Sequence, residues 1–414
     1  VHAPFDENAF AGTFRAGDSK RFGLDLKKDR AKILSTATAV ANSGFPAYGP
    51  VYATLSNGRK CHSVKDYSQT LILRILAKFI SRRFRIEITN RDRMVRGVIE
   101  ALSDSTPMYL VRRDIASFYE AIPTQGLIKR VTQNTFIPSL LRQHLDCFFN
   151  TFCSTGTTGV PRGICVSPML AELEMESFDK AAKGLTGVYR YFRYSDDILI
   201  FSHIPTAEIE SKLSDLLPPS MTFNEKKSSS IALNCGNKAN QKLATIEYLG
   251  YSYTVSDLCG DKDPRTIAVS ISGRKIIKLR TRVFLCFKAH EKNNNFALLR
   301  DRLRFLSGNY TVQRHGVTAV KSSRFVKSGI FYNYKLCGTY TKSGFKTHSA
   351  PELKCLDGVY QSLLKPNSNF GSKLNSTQRQ ELTEISFFKG FELKITTRFA
   401  PDRVAEMKRA WRNG

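Results

Sequence analysis

Residues 190–204 read RYFRYSDDILIFSHI, with two adjacent carboxylates, Asp196 and Asp197, between runs of aromatic, basic and β-branched residues. Aromatic and β-branched side chains suit a pleated, half-buried surface, whereas Ser and Asp suit turns. The stretch therefore predicts a strand, a tight turn at Ser195-Asp196-Asp197 and a second strand. Two like charges at such a tip repel each other, so a cation is expected beside them. Taken alone, a D-D pair in a hairpin is a turn signal and nothing more.

The surrounding chain supplies the context. With 414 residues it is long enough for two or three cooperating domains. In the first region, up to about residue 110, apolar residues recur at helical spacing twice. Leu71, Leu73, Ile75, Leu76, Phe79 and Ile80 form one set, and Met94, Val95, Val98, Ile99 and Leu102 the other. Two basic amphipathic helices follow from that. In the second region, to residue 258, PMYLVRRDIASFYEAIP reads as a strand running into Asp114 and then a short helix, and IEYLGYSYTV reads as a further aromatic strand. Strands mixed with helices in this order predict an α+β sheet domain. The third region, 259–414, is basic and reads as mainly helical.

Charge narrows the partner. The net charge is +27, from 63 Lys and Arg against 36 Asp and Glu, and a polyanion, most simply nucleic acid, is the expected counterpart. Residues 271–330 hold 14 Lys or Arg against two acids, with phenylalanines and a tyrosine interleaved. Basic groups with aromatics between them suit a groove that tracks phosphates and stacks bases. Arg274, Lys275, Lys278, Arg280, Arg282, Arg302 and Arg304 are the candidate RNA- or DNA-binding residues, although any one of them can equally be a solvated surface charge. No apolar run reaches the roughly 18 residues of a spanning helix, so no membrane partner is expected, nor is a secretory signal. Nine scattered cysteines, never as C-x-x-C, suggest reduced thiols and a cytoplasmic protein. The histidines are equally dispersed, and zinc chemistry is not expected.

The carboxylates suggest a different metal. Mg²⁺ takes hard oxygen ligands, often one or two protein carboxylates completed by water and phosphate. Asp114, ending its own strand, would give a third acid beside Asp196 and Asp197. Such a set suits two-metal phosphoryl or nucleotidyl transfer, with ions roughly 3.5–4 Å apart.

At this point five segments, in order, resemble the catalytic blocks of reverse transcriptases. RRDIASFYEAI resembles the first palm block, D-I-x-x-F-[FY]-x-x-I. GVPRGICVSPMLAELEMESFD resembles G-x-P-x-G-x-x-x-S-P-x-L, and YSDD matches Y-x-D-D. FNEKKSS and IEYLGYSY resemble the N-x-x-K-[ST] and L-G-[YF] blocks that follow. The resemblance implies an α+β right-hand polymerase: an N-terminal extension and fingers over 1–110, a palm over 111–258, and a basic, mainly helical thumb or C-terminal RNA-binding region over 259–414.

It also implies roles. Asp114, Asp196 and Asp197 would be catalytic and, with the carbonyl of Ile115, would hold two Mg²⁺ ions, Mn²⁺ being the alternative. Tyr119 falls at the sugar-gate position, with core packing as its competing role. Pro161 and Gly163 would lie against the templating base pair. Arg162 stands where the family commonly has Gln and would touch template or nucleotide phosphate. Lys227 would lie near the triphosphate. NRDRMVRGVIEAL resembles a fingers segment of many bacterial enzymes, which makes Arg91, with Arg93 behind it, the candidate for gripping the incoming triphosphate.

No ribonuclease H, integrase or HNH segment is recognised. The wording of the second block, and LLRDRLRFLSGNYTV followed by KSGIFYNYKL, are similar to the bacterial abortive-infection and unknown-group enzymes, the defence-associated reverse transcriptases. That resemblance implies antiviral defence, a structured non-coding RNA as resident template, dNTPs as substrates and complementary DNA as product. Within the group, the type 2 system that copies its non-coding RNA repeatedly is the most similar. Alternatives are an untemplated or protein-primed DNA polymerase of abortive-infection type, an RNA-dependent RNA polymerase, or a non-catalytic RNA scaffold. The oligomeric state, the primer and the phage trigger stay open.

Overall fold

A computed structural model of the chain describes residues 4–15, 18–43, 48–49, 51–56, 58–154, 156–233, 242–258, 265–313, 325–341 and 344–411. Cys235, Cys259 and the 314–324 part of the basic 271–330 run lie outside them; the seven other cysteines are free thiols. The chain forms two units. One comprises Val1–Thr89, Val111–Ser230 and Gln313–Arg324, and the other Asn90–Leu110, Ile231–Val312 and Phe325–Gly414. These divisions cut across the three regions expected from sequence pattern.

The first unit is built around the helix Tyr67–Arg83. Asp66 caps it, accepting from the Gln69 N–H at 2.7 Å, and Leu71, Ile72, Leu73, Ile75, Leu76 and Ile80 are all buried. So continuous a buried surface fits a central helix, and it packs against the helices Arg30–Asn42, Ser139–Cys153 and Ser167–Lys183. Arg74, on the same helix, is buried with Asp18, which accepts from its two terminal nitrogens at 2.6 and 2.8 Å.

The strands of this unit are β1 (Tyr52–Ser56) and β2 (Arg59–Ser63), an antiparallel hairpin, and a four-stranded sheet. That sheet has β3 (Met108–Asp114), β4 (Val188–Tyr194), β5 (Asp197–Ser202) and β6 (Ser229–Leu233) in the order β4-β5-β3-β6. Strands β3 and β6 each run on from one unit into the other. Ile198, Leu199, Ile200 and Phe201 are fully buried, as the apolar run DILIFS requires.

In the second unit the helix Arg91–Ser103 starts at Asn90, whose side chain accepts from the Asp92 and Arg93 N–H groups. Its predicted apolar set, Met94, Val95, Val98, Ile99 and Leu102, is buried. A five-stranded sheet runs β13-β12-β9-β8-β7, from β7 (Leu243–Tyr248), β8 (Tyr251–Ser256), β9 (Ile267–Ile271), β12 (Gly338–Thr341) and β13 (Gly344–His348). The IEYLGYSYTV stretch is therefore a hairpin and not one strand. Leu249 and Gly250, with φ of +51° and +80°, turn the chain between β7 and β8.

Long helices Gly273–Asn293, Phe296–Ser307 and Glu352–Leu364 follow. A small sheet joins β10 (Asn309–Gln313) to β11 (Phe325–Gly329) and β14 (Thr396–Thr397). The C-terminal part is thus less purely helical than its composition suggests, because β9, β12 and β13 complete the five-stranded sheet. Among the described residues no helix is long and apolar enough to cross a membrane.

Candidate active site

Asp114 is the last residue of β3, and β5 lies beside β3 in the sheet. The Ile115 N–H donates to the Asp196 carbonyl oxygen at 2.9 Å, which ties the residue after Asp114 to the hairpin tip. On the far side the Asn224 N–H donates to the Asp114 carbonyl at 2.7 Å. Across the hairpin Tyr194 pairs with Asp197, leaving a two-residue loop of Ser195, at φ +59°, and Asp196. Asp197 is thus the first residue of β5.

Cations flank the acids, as like-charge repulsion demands. Lys227 Nζ donates to both carboxylate oxygens of Asp114, at 2.8 and 2.9 Å. Arg112 Nε donates to Asp197 at 3.1 Å. Burial pushes the Asp196 carboxyl above the usual range; the charge of Asp114 adds to the rise, and Lys227 and Arg59 oppose it. Burial also raises Asp197, against the pull of Arg112. Among the described residues no three His, Cys, Asp or Glu side chains form a group that could hold a metal ion by themselves. The carboxylates of Asp114 and Asp196 with the Ile115 carbonyl are nevertheless the hard oxygen donors that suit a divalent ion sharing its shell with phosphate and water.

The hairpin tip is held from behind by Arg193, which is 3% exposed. Its guanidinium makes paired hydrogen bonds to Glu172, at 2.6 and 3.1 Å, and to Asp179, at 2.7 Å each, both on the helix Ser167–Lys183. It also donates to the Ser195 carbonyl at 3.1 Å. Tyr119 lies on the short helix Phe118–Ala121, with its hydroxyl near the Ser195 side chain. Arg162 sits over the Tyr119 ring, with Cζ 4.9 Å from the centroid, and pairs with Glu120 at 3.2 Å. Gly163 has φ +97°, and a Cβ there would come within 2.8 Å of the His62 carbonyl oxygen; only glycine lets this loop lie so close to β2. The His62 N–H donates to the Arg162 carbonyl at 2.6 Å.

Asp114, Ile115, Tyr119, Arg162, Gly163, Asp196, Asp197 and Lys227 therefore all belong to the first unit. Arg91 and Arg93 belong to the second. Arg91 donates to the Leu249 carbonyl at 2.7 and 3.0 Å and to the Asn333 carbonyl at 2.8 Å, with its guanidinium over the rings of Tyr251 and Tyr334. Arg91, expected from sequence to grip a triphosphate, here has its donors engaged at the β7–β8 turn and the Asn333 carbonyl. Arg93 is exposed.

Of the basic candidates, Arg274, Lys275, Lys278 and Arg280 are exposed on the helix Gly273–Asn293, and Arg282 lies over the Trp411 ring at 5.7 Å. Arg302 requires a correction. It is 4% exposed and donates to the Met407 carbonyl, so it offers no phosphate contact. Its place three and four residues after Leu299 and Leu298 puts it on the buried face of its helix. Arg304 is half-buried and pairs with Glu381 at 3.5 Å.

Arg112, Arg193, Glu172, Asp179 and Arg59 were not singled out from sequence. Strand periodicity signals one of them, since Arg112 lies two residues before Asp114 and shares its face of β3. The others become visible only once the elements are packed.

Residues 62–253 match the family model described as reverse transcriptase (RNA-dependent DNA polymerase). Among solved structures, the chain is similar to an apo telomerase from Candida tropicalis truncated from its C-terminal domain. Identity is 12%, coverage 49% of this chain and 45% of that one, and the TM-score 0.31. It is also similar to a telomerase from Candida albicans in complex with a fragment of telomeric RNA, at 10% identity, 64% and 55% coverage, and a TM-score of 0.35. The chain thus spans about half the length of either. No curated protein matches it. The matched residues 62–253 contain all three aspartates and the YSDD tip, in a mixed arrangement of helices and sheet like that of the reverse transcriptase polymerases they match.

Proposed function

We propose that the chain is an RNA-directed DNA polymerase that copies a bound, structured non-coding RNA into complementary DNA and serves in bacterial antiviral defence. The observation that carries the chemistry is the stitching of Asp114 to the Asp196–Asp197 tip through the Ile115–Asp196 hydrogen bond. It ties the backbone beside Asp114, at the end of β3, to the tip that carries Asp196 and Asp197, within residues that match a reverse transcriptase model.

Asp114, Asp196, Asp197 and the Ile115 carbonyl would hold divalent ions, Mg²⁺ or Mn²⁺, which would supply charge neutralisation at the reacting phosphates. The protein's own groups do the rest. Lys227, now on Asp114, is within reach of an incoming triphosphate. The Tyr119 ring closes the space beside a deoxyribose C2′, so that a ribose 2′-hydroxyl is crowded. The Gly163 loop allows close approach of the templating pair. No protein general base is needed. The RNA partner is supported by the net charge of +27 and by the exposed Arg274, Lys275, Lys278 and Arg280. The defence role rests on the block wording that is similar to abortive-infection and unknown-group enzymes.

The test is purification from the native host with its operon intact, followed by sequencing of co-purifying nucleic acid. One abundant RNA with its complementary DNA is expected, the DNA being lost and the RNA retained in an Asp196→Ala/Asp197→Ala variant. DNA without an RNA complement would favour an untemplated enzyme, and unchanged DNA synthesis in the variant would remove the catalytic assignment.

A further inference from the structure

Arg162 occupies a position where reverse transcriptases commonly carry an uncharged amide, and its guanidinium does not point away into solvent. It lies on the face of the Tyr119 ring, 4.9 Å from centroid to Cζ, and its terminal nitrogen sits 3.2 and 3.4 Å from the two carboxylate oxygens of Glu120. The backbone on both sides is fixed as well. The Val160 N–H donates to the Tyr119 carbonyl at 2.8 Å, Ser167 Oγ donates to the Pro161 carbonyl at 2.7 Å, and the His62 N–H donates to the Arg162 carbonyl. The ring is thus bracketed by the guanidinium on its face and the edge of Phe118 at 5.4 Å.

We propose that Glu120 is a positioning residue for sugar discrimination, holding Arg162 on the Tyr119 ring and thereby fixing the ring where it crowds a ribose. This rests on the proposed role of Tyr119 as the sugar gate. A guanidinium with one tether to a carboxylate and one to a ring face is held in a single orientation. Without the carboxylate it is free to leave the ring, which then gains room to tilt away from a 2′-hydroxyl. Glu120 itself is not placed at the nucleotide. Its removal should therefore alter which sugar is accepted without altering the rate at which the correct one is joined.

The experiment measures kcat and KM for matched dNTP and rNTP incorporation in the full chain bearing Glu120→Gln, Tyr119→Ala or both. Glu120→Gln should lower the dNTP-over-rNTP preference by about fivefold, the size expected of an exposed ion pair combined with a cation–ring contact. The change should appear as a lower KM for rNTP, with kcat for dNTP kept. The double variant should be no less selective than Tyr119→Ala alone, because both act through one ring. Added salt should erode the preference of the parent protein but not that of Glu120→Gln. If Tyr119→Ala relaxes selectivity and Glu120→Gln does not, the proposal falls and the gate stands. Independent, additive effects would also overturn it. If Tyr119→Ala leaves selectivity intact, the gate assignment fails and the proposal with it. Equal thermal midpoints for parent and Glu120→Gln exclude a folding effect as the source of any change.

Discussion

Arg193 holds the Ser195 carbonyl and two carboxylates from inside the first unit, with almost no exposure to water. Removing a buried charge's partners, or the charge itself, leaves uncompensated groups at a cost of about 3–5 kcal/mol. Arg193→Met is expected to lower stability by that order in urea denaturation. Arg193→Lys, which keeps the charge but lacks the planar fork, should recover part of the stability and little of the nucleotide incorporation, because the tip carrying Asp196 loses its support.

Asp18 is a residue whose titration matters. Burial alone would raise its carboxyl, but the hydrogen bonds from Arg74 and the Arg15 backbone outweigh it and leave the group below its ordinary value of 3.8. A carboxyl lowered on folding adds stability that is fully present above pH 3.8 and is lost as pH falls through the lower, folded value. Asp18→Asn should thus destabilise the protein by about 3 kcal/mol at pH 7, and the difference from the parent should shrink on strong acidification, as read by denaturant titrations at both pH values.

At the scale of elements, the β7–β8 hairpin shows where local sequence misleads. IEYLGYSYTV has the aromatic richness of one long strand, and nothing in its composition announces that a leucine adopts φ +51°. The tolerance comes from the Arg91 guanidinium, which donates twice to the Leu249 carbonyl from 158 residues away. Arg91→Ala should cost about 1–3 kcal/mol through the unsatisfied carbonyl, whereas an effect on triphosphate KM without loss of stability would restore the role first expected of it. By contrast, the β4–β5 hairpin, the strand into Asp114 and the two apolar helices were legible, because each is fixed by periodicity within a few residues. The counter-ions were not. Lys227 lies 113 residues from Asp114 and Arg112 lies 85 from Asp197, and pairings that distant depend on sheet order, which pattern alone does not carry. Arg302 is a different case: its helical phase, three and four residues after Leu299 and Leu298, already places it on the buried face, although it sits in a basic run.

Across the whole molecule the charge excess should dominate nucleic-acid affinity. Each phosphate contact removed lowers the slope of log affinity against log salt by about 0.7 for a single strand. Replacing Arg274, Lys278 and Arg280 by Gln should therefore lower that slope by about two in filter-binding or fluorescence titrations with RNA, while Arg302→Gln should change stability and leave the slope unchanged.

The two units are interleaved along the chain, which passes between them at 89/90, 110/111, 230/231, 312/313 and 324/325. Neither can be made as one uninterrupted stretch of polypeptide. The family-matched segment, 62–253, is not a separable module either: cut there, β8 ends three residues early and loses its neighbour β9, leaving a sheet edge rich in tyrosine open to pairing with other molecules. Such a fragment should aggregate on expression. During synthesis, too, the first unit's four-stranded sheet can close once Leu233 has been made, but that unit receives its last segment, 313–324, only after most of the chain has emerged, and the second unit only at the C-terminus.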